Sequence, residues 1–250
     1  YQIINKMSDT EIVVQKAQRG TADAVLTCKE ALAGFDGSLL VLSGDCPLIT
    51  PDTIRELADM RTRSNAAVVV LTMELDDPFG YGRIIRDGEG CVERIVEQKD
   101  ANAAEAAVTE CNSGFYCFDA QALFEALEQV GSDNAQGEFY LTDVLEICRG
   151  AGRDVLALPA SDVSECLGVN SRVQLAAATC ALQSRINKEH MAAGVTMWDP
   201  TSVWIGPDVE IAPDVELLPQ TFLLGKTQVG EDSVIGPNTR LIDTVVGSGC

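Results

Sequence analysis

Up to about residue 160, short apolar runs alternate with stretches of helical periodicity. Glu11–Val14 reads as a strand, Thr21–Ala33 as a helix stopped by Gly34, Leu39–Leu42 as a strand, Pro51–Arg63 as a helix with proline in its first turn, and Ala67–Met73 as a strand. That alternation is the signature of βαβ units and a mainly parallel sheet. The stretch "RIIRDGEGCVERIVE" then alternates apolar and polar residues around Asp87-Gly88-Glu89-Gly90, which predicts a hairpin. A strand over Val108–Phe118, helices over Ala120–Val130 and Glu138–Cys148, and a last strand at Val155–Leu158 complete the α/β pattern.

A long amphipathic helix is expected from Ser171 to about Ala193, ending at Gly194. Beyond it the period changes to six. Ile205, Ile211, Leu217, Leu223, Val229, Ile235 and Leu241 form an unbroken apolar column, with small residues following at Gly206, Ala212, Gly230 and Gly236. One inward aliphatic per six residues is what a hexapeptide parallel β-helix requires, because each short flat strand sends one residue into a triangular prism. The expected organisation is therefore a domain over residues 1–170, a linker helix over 171–194 and a β-helix over 195–250. The column runs to the last residue, so the prism is expected to stop after a few turns with an uncapped end.

Composition narrows the function. With 46% hydrophobic and 22% charged residues the chain is an ordinary globular sequence, without an apolar run of membrane-spanning length or a signal-peptide pattern in Tyr1–Thr10, so a cytoplasmic location is expected. The nine cysteines include no C-x-x-C pair, which argues against a zinc site or a disulfide framework and for reduced core residues. A formal charge of −20 disfavours nucleic acid and anionic membranes as partners. An anionic small substrate would then need a local cation.

One stretch offers a place for it. "LLVLSGDCPLIT", Leu39 to Thr50, is an apolar run that stops at Ser43-Gly44-Asp45, and it reads as a fully buried strand of a parallel sheet. Ligands of open α/β sheets settle beyond the carboxyl ends of strands, which makes Asp45 a candidate for a metal or a polar substrate. Gly44-Asp45 is equally the composition of a plain turn. The single histidine, His190, lies on the linker helix, and no serine or cysteine is accompanied by a base, so neither histidine-based nor nucleophilic catalysis is supported.

The order of these modules, with the segments "VVQKAQRGTADAV", "VLSGDCPLI", "GYGRIIRD", "RIVEQKDA", "ECNSGFYCFD", "NAQGEFYLTDV" and "LGVNSRVQL" and the hexapeptides, resembles the bacterial bifunctional N-acetylglucosamine-1-phosphate uridyltransferase/glucosamine-1-phosphate N-acetyltransferase family. The resemblance implies a Rossmann-like nucleotidyltransferase domain, a linker helix and the start of a left-handed parallel β-helix. It implies magnesium-dependent transfer of UMP from UTP to N-acetylglucosamine 1-phosphate, giving UDP-N-acetylglucosamine and pyrophosphate, with a homotrimer for the full-length parent. Two departures stand out: the family's opening L-x-A-G-x-G-T-x-M loop and its lysine do not occur here, and the acetyltransferase residues of the family lie on later coils than Cys250. The resemblance therefore leads us to expect an N-terminally incomplete domain and little activity from these 250 residues alone.

Magnesium takes one or two protein oxygens and completes its shell with phosphate and water. The resemblance gives that role to Asp45 and Asn170; from the residues alone, Asn170 could equally cap, or stand beside the cap of, the helix that follows. It assigns the uracil to Gln15, Gly20 and Thr21. A glutamine offers a donor and an acceptor to a pyrimidine edge, glycine admits close backbone approach, and Thr21 is also expected to cap the next helix. Ser43 and Gly44 approach the same nucleotide. The sugar falls to Gly82, through a backbone amide, to Glu97, which accepts from hydroxyls, and to Asn112, which addresses the ring and its acetamido group. Taken singly, these three also read as a strand glycine, a hairpin-end carboxylate and a turn asparagine. "NAQGEFYLTDV" is expected to form a loop at Asn134–Gly137 and a helix from Glu138, and it carries no assigned chemistry. Two alternatives stay open: transfer to another sugar 1-phosphate, and a non-catalytic sugar-nucleotide-binding subunit.

Overall fold

The computed structural model describes residues 10–250. Residues 1–9, on which most of the signal-peptide reading rests, lie outside them. The chain divides into two compact units, Tyr1–Leu167 and Gly168–Cys250.

In the first unit the elements run α1 (Thr21–Leu26), β1 (Ser38–Val41), α2 (Pro51–Ser64), β2 (Val68–Glu74), β3 (Arg83–Arg86), β4 (Val92–Val96), α3 (Ala103–Ala106), β5 (Glu110–Asp119), α4 (Ala120–Leu127), α5 (Asp143–Gly150) and β6 (Val155–Pro159). One sheet holds all six strands in the order β4-β3-β5-β2-β6, with β1 beside β5. Strand alternation sends Val68 and Val70 into one apolar layer with Tyr116, Phe118 and Leu123, and Val69, Leu71 and Met73 into the other with Leu57, Phe115 and Cys117. Helices cover both faces, so β2 and β5 are apolar on both sides.

α2 shows how local chemistry sets an element. The Thr50 side chain accepts from the Thr53 N–H, Pro51 opens the helix, Asp52 lies in its first turn, Arg61 and Arg63 lie in its last, and Asn65 ends it in the left-handed conformation. Glu165 fastens the cap, accepting from the Thr50 N–H and hydroxyl, each at 3.1 Å. Arg61 is buried and pairs with Asp119, tying α2 to the end of β5.

Several expectations need correction. Among the described residues the β2–β6 pairing is the parallel one in this sheet, while β5 runs antiparallel to β1, β2 and β3. The sheet is mixed because β5 enters its middle from the β3–β4 hairpin. Among the described residues β1 pairs with β5 alone and antiparallel, and Leu40 and Leu42 are exposed, so it is not the buried parallel strand its composition suggests. Glu11–Val14 forms no strand. The helix expected over Thr21–Ala33 closes at Leu26 and continues as turns to Gly34. The helix expected from Glu138 begins at Asp143 instead, because the backbone of 139–141 is bonded elsewhere. Of the nine cysteines, five are buried and Cys91, Cys180 and Cys250 are exposed.

In the second unit α6 (Arg172–Ala192), capped by Ser171, precedes nine short strands: β7 (Thr196–Met197), β8 (Trp204–Ile205), β9 (Glu210–Ile211), β10 (Glu216–Leu217), β11 (Phe222–Leu224), β12 (Gln228–Val229), β13 (Val234–Ile235), β14 (Arg240–Ile242) and β15 (Val245–Val246). They form three parallel sheets, β13-β10-β7, β14-β11-β8 and β15-β12-β9. Trp204 pairs with Phe222 and Phe222 with Arg240, a rise of 18 residues or three hexapeptides per coil. The expected column faces inward, and so does a second one two residues earlier: Val203, Val209, Val215, Thr221, Thr227 and Ser233 are all buried. The hydroxyls there donate to corner carbonyls, Thr221 to Leu218 at 2.8 Å, Thr227 to Leu224 at 2.7 Å and Ser233 to Gly247 at 2.8 Å. α6 is less amphipathic than its pattern suggests. Its buried residues are Ala178, Gln183 and Asn187, and the two amides donate to carbonyls of the Pro200–Val203 turn.

Leu223 is fully buried in the β-helix interior. Leu223→Ala is expected to lower the unfolding free energy by about 2–5 kcal/mol in urea titrations followed by circular dichroism; a loss below about 1 kcal/mol would mean the prism closes around the gap.

Candidate active site

The segment before α1 is held from both sides. Gln15 Nε2 donates to the Gly20 carbonyl at 3.1 Å and to Asp23 Oδ2 at 2.7 Å, while Arg19 pairs with Asp23 Oδ1 at 2.6 Å. The Arg19 and then the Gln15 bonds hold the Asp23 carboxyl below its usual range. With its nitrogen donating to two protein oxygens, the Gln15 amide keeps its carbonyl oxygen as an acceptor.

"GEFYLT" forms the other side. The Phe139 N–H donates to the Arg19 carbonyl at 2.8 Å, and the Ala22 N–H donates to the Phe139 carbonyl at 2.9 Å. The Arg19 guanidinium lies 5.8 Å from the Phe139 ring centroid. Gly20 has φ +122°, and a Cβ there would meet the Phe139 carbonyl oxygen and, at 2.7 Å, its nitrogen. Gly20 itself caps α1; Thr21 does not, and its hydroxyl instead accepts from the Leu141 N–H at 3.0 Å.

A cavity of about 290 Å³ opens beside this junction, lined by Thr21, Ser43, Glu97, Asn112, Gly114, Tyr116 and Thr142 among others. Four of the ten residues expected from sequence line it: Thr21, Ser43, Glu97 and Asn112. Gly82 adjoins it, since a Cβ there would stand 3.5 Å from both Glu97 carboxylate oxygens, and its carbonyl accepts from the Asn112 N–H at 2.9 Å. Gly44 and the exposed Asp45 follow Ser43 in the chain. Asn170 belongs to the second unit, where its N–H donates to Gln174 Oε1 at 2.8 Å beside the Ser171 cap. Among the described residues no group of three or more histidine, cysteine or acidic side chains is placed to hold a metal.

β5 builds the cavity wall that carries Asn112, Gly114 and Tyr116. Val70 pairs with Tyr116 and Thr72 with Asn112, so a bulge interrupts the ladder at Ser113–Phe115. Ser113 donates to the Leu71 carbonyl at 2.6 Å and accepts from the Phe115 N–H at 3.2 Å, which satisfies the disrupted edge. Gly114, at φ +82°, lies under Ser43, whose hydroxyl donates to the Gly114 carbonyl at 3.3 Å. Asn112 Oδ1 accepts from the Gly114 N–H and the Tyr116 hydroxyl, both at 3.0 Å.

The cavity wall is short of positive charge. Burial pushes the Glu97 carboxyl up, against a bond from the Thr142 hydroxyl at 3.2 Å that favours its charged form. Asp143 follows Thr142 in the first turn of α5, where a helix dipole favours a carboxylate. Burial, with Glu146, Glu97 and Asp100 nearby, nevertheless raises it to about 6. Burial also lifts the Cys46 thiol to about 11 and the Cys166 thiol to about 12, so neither is a nucleophile at neutral pH. The cavity wall thus offers hydrogen-bonding side chains, with the Thr142 hydroxyl on the Glu97 carboxylate, and no reactive thiolate.

Sequence reasoning missed Gly114, Tyr116, Thr142 and the Arg19–Asp23–Phe139 clasp. A glycine inside the strand pattern of "CNSGFY" is a bulge signal and pointed at the first two. Nothing local announced that "GEFYLT" would meet residues 19–21.

The family model for nucleotidyl transferases matches residues 2–198. The chain belongs to the nucleotidyl transferase family. It is 50% identical to "Bifunctional protein GlmU" of Lactobacillus helveticus (strain DPC 4571), over 96% of this chain and 52% of that protein. It is 44% identical to the protein of the same name from Enterococcus faecalis (strain ATCC 700802 / V583), again over 96% of this chain and 52% of the relative. This nucleotidyl transferase chain thus spans about half the length of the curated relatives it matches. Among solved structures it is similar to a Bacillus anthracis protein provisionally named a glucose-1-phosphate thymidylyltransferase, with TM-score 0.51 and 24% identity over 68% of this chain and 63% of that one. That likeness supports the α/β fold of the first unit.

Two outcomes test the site's construction. Because the folded pKa of Asp143 is raised to about 6, its protonated form is favoured: the associated stability is present below the unfolded value of about 3.9 and is lost as pH rises through about 6. Asp143→Asn is therefore expected to raise Tm at pH 7 and to leave it unchanged near pH 3. Gly20→Ala is expected to lower stability by about 2 kcal/mol or more in thermal unfolding. Gly34→Ala, whose Cβ meets nothing within 4 Å at φ +81°, isolates the cost of the dihedral alone and should be milder.

Proposed function

We propose that the chain is the nucleotide-sugar-forming part of an enzyme that transfers UMP from UTP to N-acetylglucosamine 1-phosphate. A phosphate oxygen of the sugar attacks the α-phosphorus, the bond to the β-phosphate oxygen breaks, and pyrophosphate leaves with the electron pair. The observation that carries this reading is the cavity flanked by Thr21 of the glutamine-bearing loop and by Glu97 and Asn112, which provides polar groups for a base and for a sugar within one site. Gln15 supplies an acceptor for the N3–H of uracil. Glu97 accepts from sugar hydroxyls, and the Asn112 amide meets the ring substituents.

Nucleotidyl transfer needs alignment and charge neutralisation more than covalent help from the protein. Magnesium takes hard oxygens from few protein groups; Asp45, two residues after Ser43 of the cavity wall, would supply one of them, and the ion would neutralise phosphate charge. Glu97 on the cavity wall, with Asp143 near it, gives a phosphate no cationic support. The word bifunctional in the relatives' name extends the proposal to a second activity of the whole protein; the family resemblance adds to it association of three chains through the β-helix and a cytoplasmic location.

The test is calorimetric titration of UDP-N-acetylglucosamine into the chain with magnesium. Glu97→Gln and Asn112→Ala are each expected to weaken binding about tenfold or more. Pyrophosphate release from UTP and the sugar phosphate, once a family-type Gly-rich segment is supplied at the N-terminus, tests turnover. Absence of binding at millimolar ligand would overturn the reading, and binding without turnover in a folded, extended protein would favour a binding subunit.

A further inference from the structure

A side-chain amide is ambiguous until its neighbours orient it, because its oxygen accepts and its nitrogen donates. At Asn112 two donors converge on one atom: the Gly114 N–H and the Tyr116 hydroxyl both reach Oδ1 at 3.0 Å. Turning the amide over would set its N–H group against the Gly114 N–H, which cannot accept. Among the described residues nothing takes a bond from Asn112 Nδ2, and Asn112 lines the cavity. The Gly114 bond is local, spanning two residues, and by itself leaves the side chain free to swing. The Tyr116 hydroxyl arrives from across the bulge and removes that freedom.

We propose that Tyr116 is a positioning residue that locks the Asn112 amide with its nitrogen as the ligand-facing group, so that the site demands a hydrogen-bond acceptor on the sugar at that point. This rests on the sugar-binding reading given above. The Tyr116 ring is 3% exposed and stacked on Phe118 with centroids 5.4 Å apart, so its frame is rigid. Burial also pushes the phenol well above its ordinary pKa, which keeps the hydroxyl protonated and donating at any working pH. Glu97 across the cavity is an acceptor when ionised. The sugar side therefore offers one fixed donor and one acceptor. A sugar substituent with a carbonyl oxygen, such as an acetamido group, matches the donor.

The test uses Tyr116→Phe, which retains the ring and its stacking and deletes the hydroxyl. Calorimetry on the full chain with UDP-N-acetylglucosamine and magnesium should show affinity reduced about tenfold, the scale of one neutral hydrogen bond and its ordering. In the Asn112→Ala background the same change should cost nothing further, because there is no amide left to orient; additive losses would overturn the proposal. A purely structural role would lower Tm without this non-additivity. A ligand-free arm separates this inference from the functional reading: in protein labelled with ¹⁵N-asparagine, the Asn112 side-chain NH₂ pair should be well dispersed in the parent chain and move toward exposed-asparagine positions in Tyr116→Phe. If the parent chain binds no sugar nucleotide, the functional reading falls and the spectrum alone decides. An unmoved Asn112 pair would then refute the positioning role.

Discussion

The close approach of Gly20 to the Phe139 backbone is the constraint on which the site depends. A glycine is required because the space a Cβ would fill is taken by another main chain, and its φ of +122° lies where side chains are strained. Once that contact is made, Phe139 and Leu141 give their backbone bonds to residues 19–22, and the chain cannot enter α5 until Asp143. Thr142 is thereby delivered to Glu97. One main-chain junction thus couples the glutamine-bearing loop to the far wall of the cavity.

The site shows how buried polarity is used in place of a catalytic dyad. Gln15 has its nitrogen engaged and Asn112 its oxygen, so two chemically identical groups are turned to opposite tasks by their neighbours. In the proposed site such orientation is fixed before a ligand arrives and would discriminate, because the wrong partner would leave a desolvated group unpaired. Asp143, raised to about 6 by burial with Glu146 and Glu97 nearby, costs stability at neutral pH, and perturbed carboxyls of this kind cluster at functional sites.

Legibility in the sequence followed the range of the interactions. The six-residue column from Ile205 to Leu241 was readable because each repeat answers to its neighbours at a fixed interval. α2 was readable because Thr50, Pro51 and Asn65 set its ends within a few residues. Elements defined by distant contacts were not. β1 reads as buried until its single partner is known, and Glu138 reads as a helix start until the backbone of 139–141 is seen to be bonded to residues 19–22. Thr21 looked like a cap, and the hydroxyl that would have capped instead serves Leu141, more than a hundred positions away.

The second inward column of the β-helix carries a consequence of its own. It reads valine at 203, 209 and 215 and then threonine, threonine and serine at 221, 227 and 233. A coil lined only by aliphatics meets much the same interior if it is displaced by one hexapeptide, since the repeat looks alike to itself. The hydroxyls break that self-similarity through their bonds to the following coil: Thr221 donates to the Ile235 carbonyl at 3.4 Å, Thr227 accepts from the Thr244 N–H at 3.3 Å and Ser233 donates to the Gly247 carbonyl at 2.8 Å, and a displaced coil would break all three. Three small polar groups thus work as a phase mark on an otherwise periodic winding, telling the chain which turn it is on.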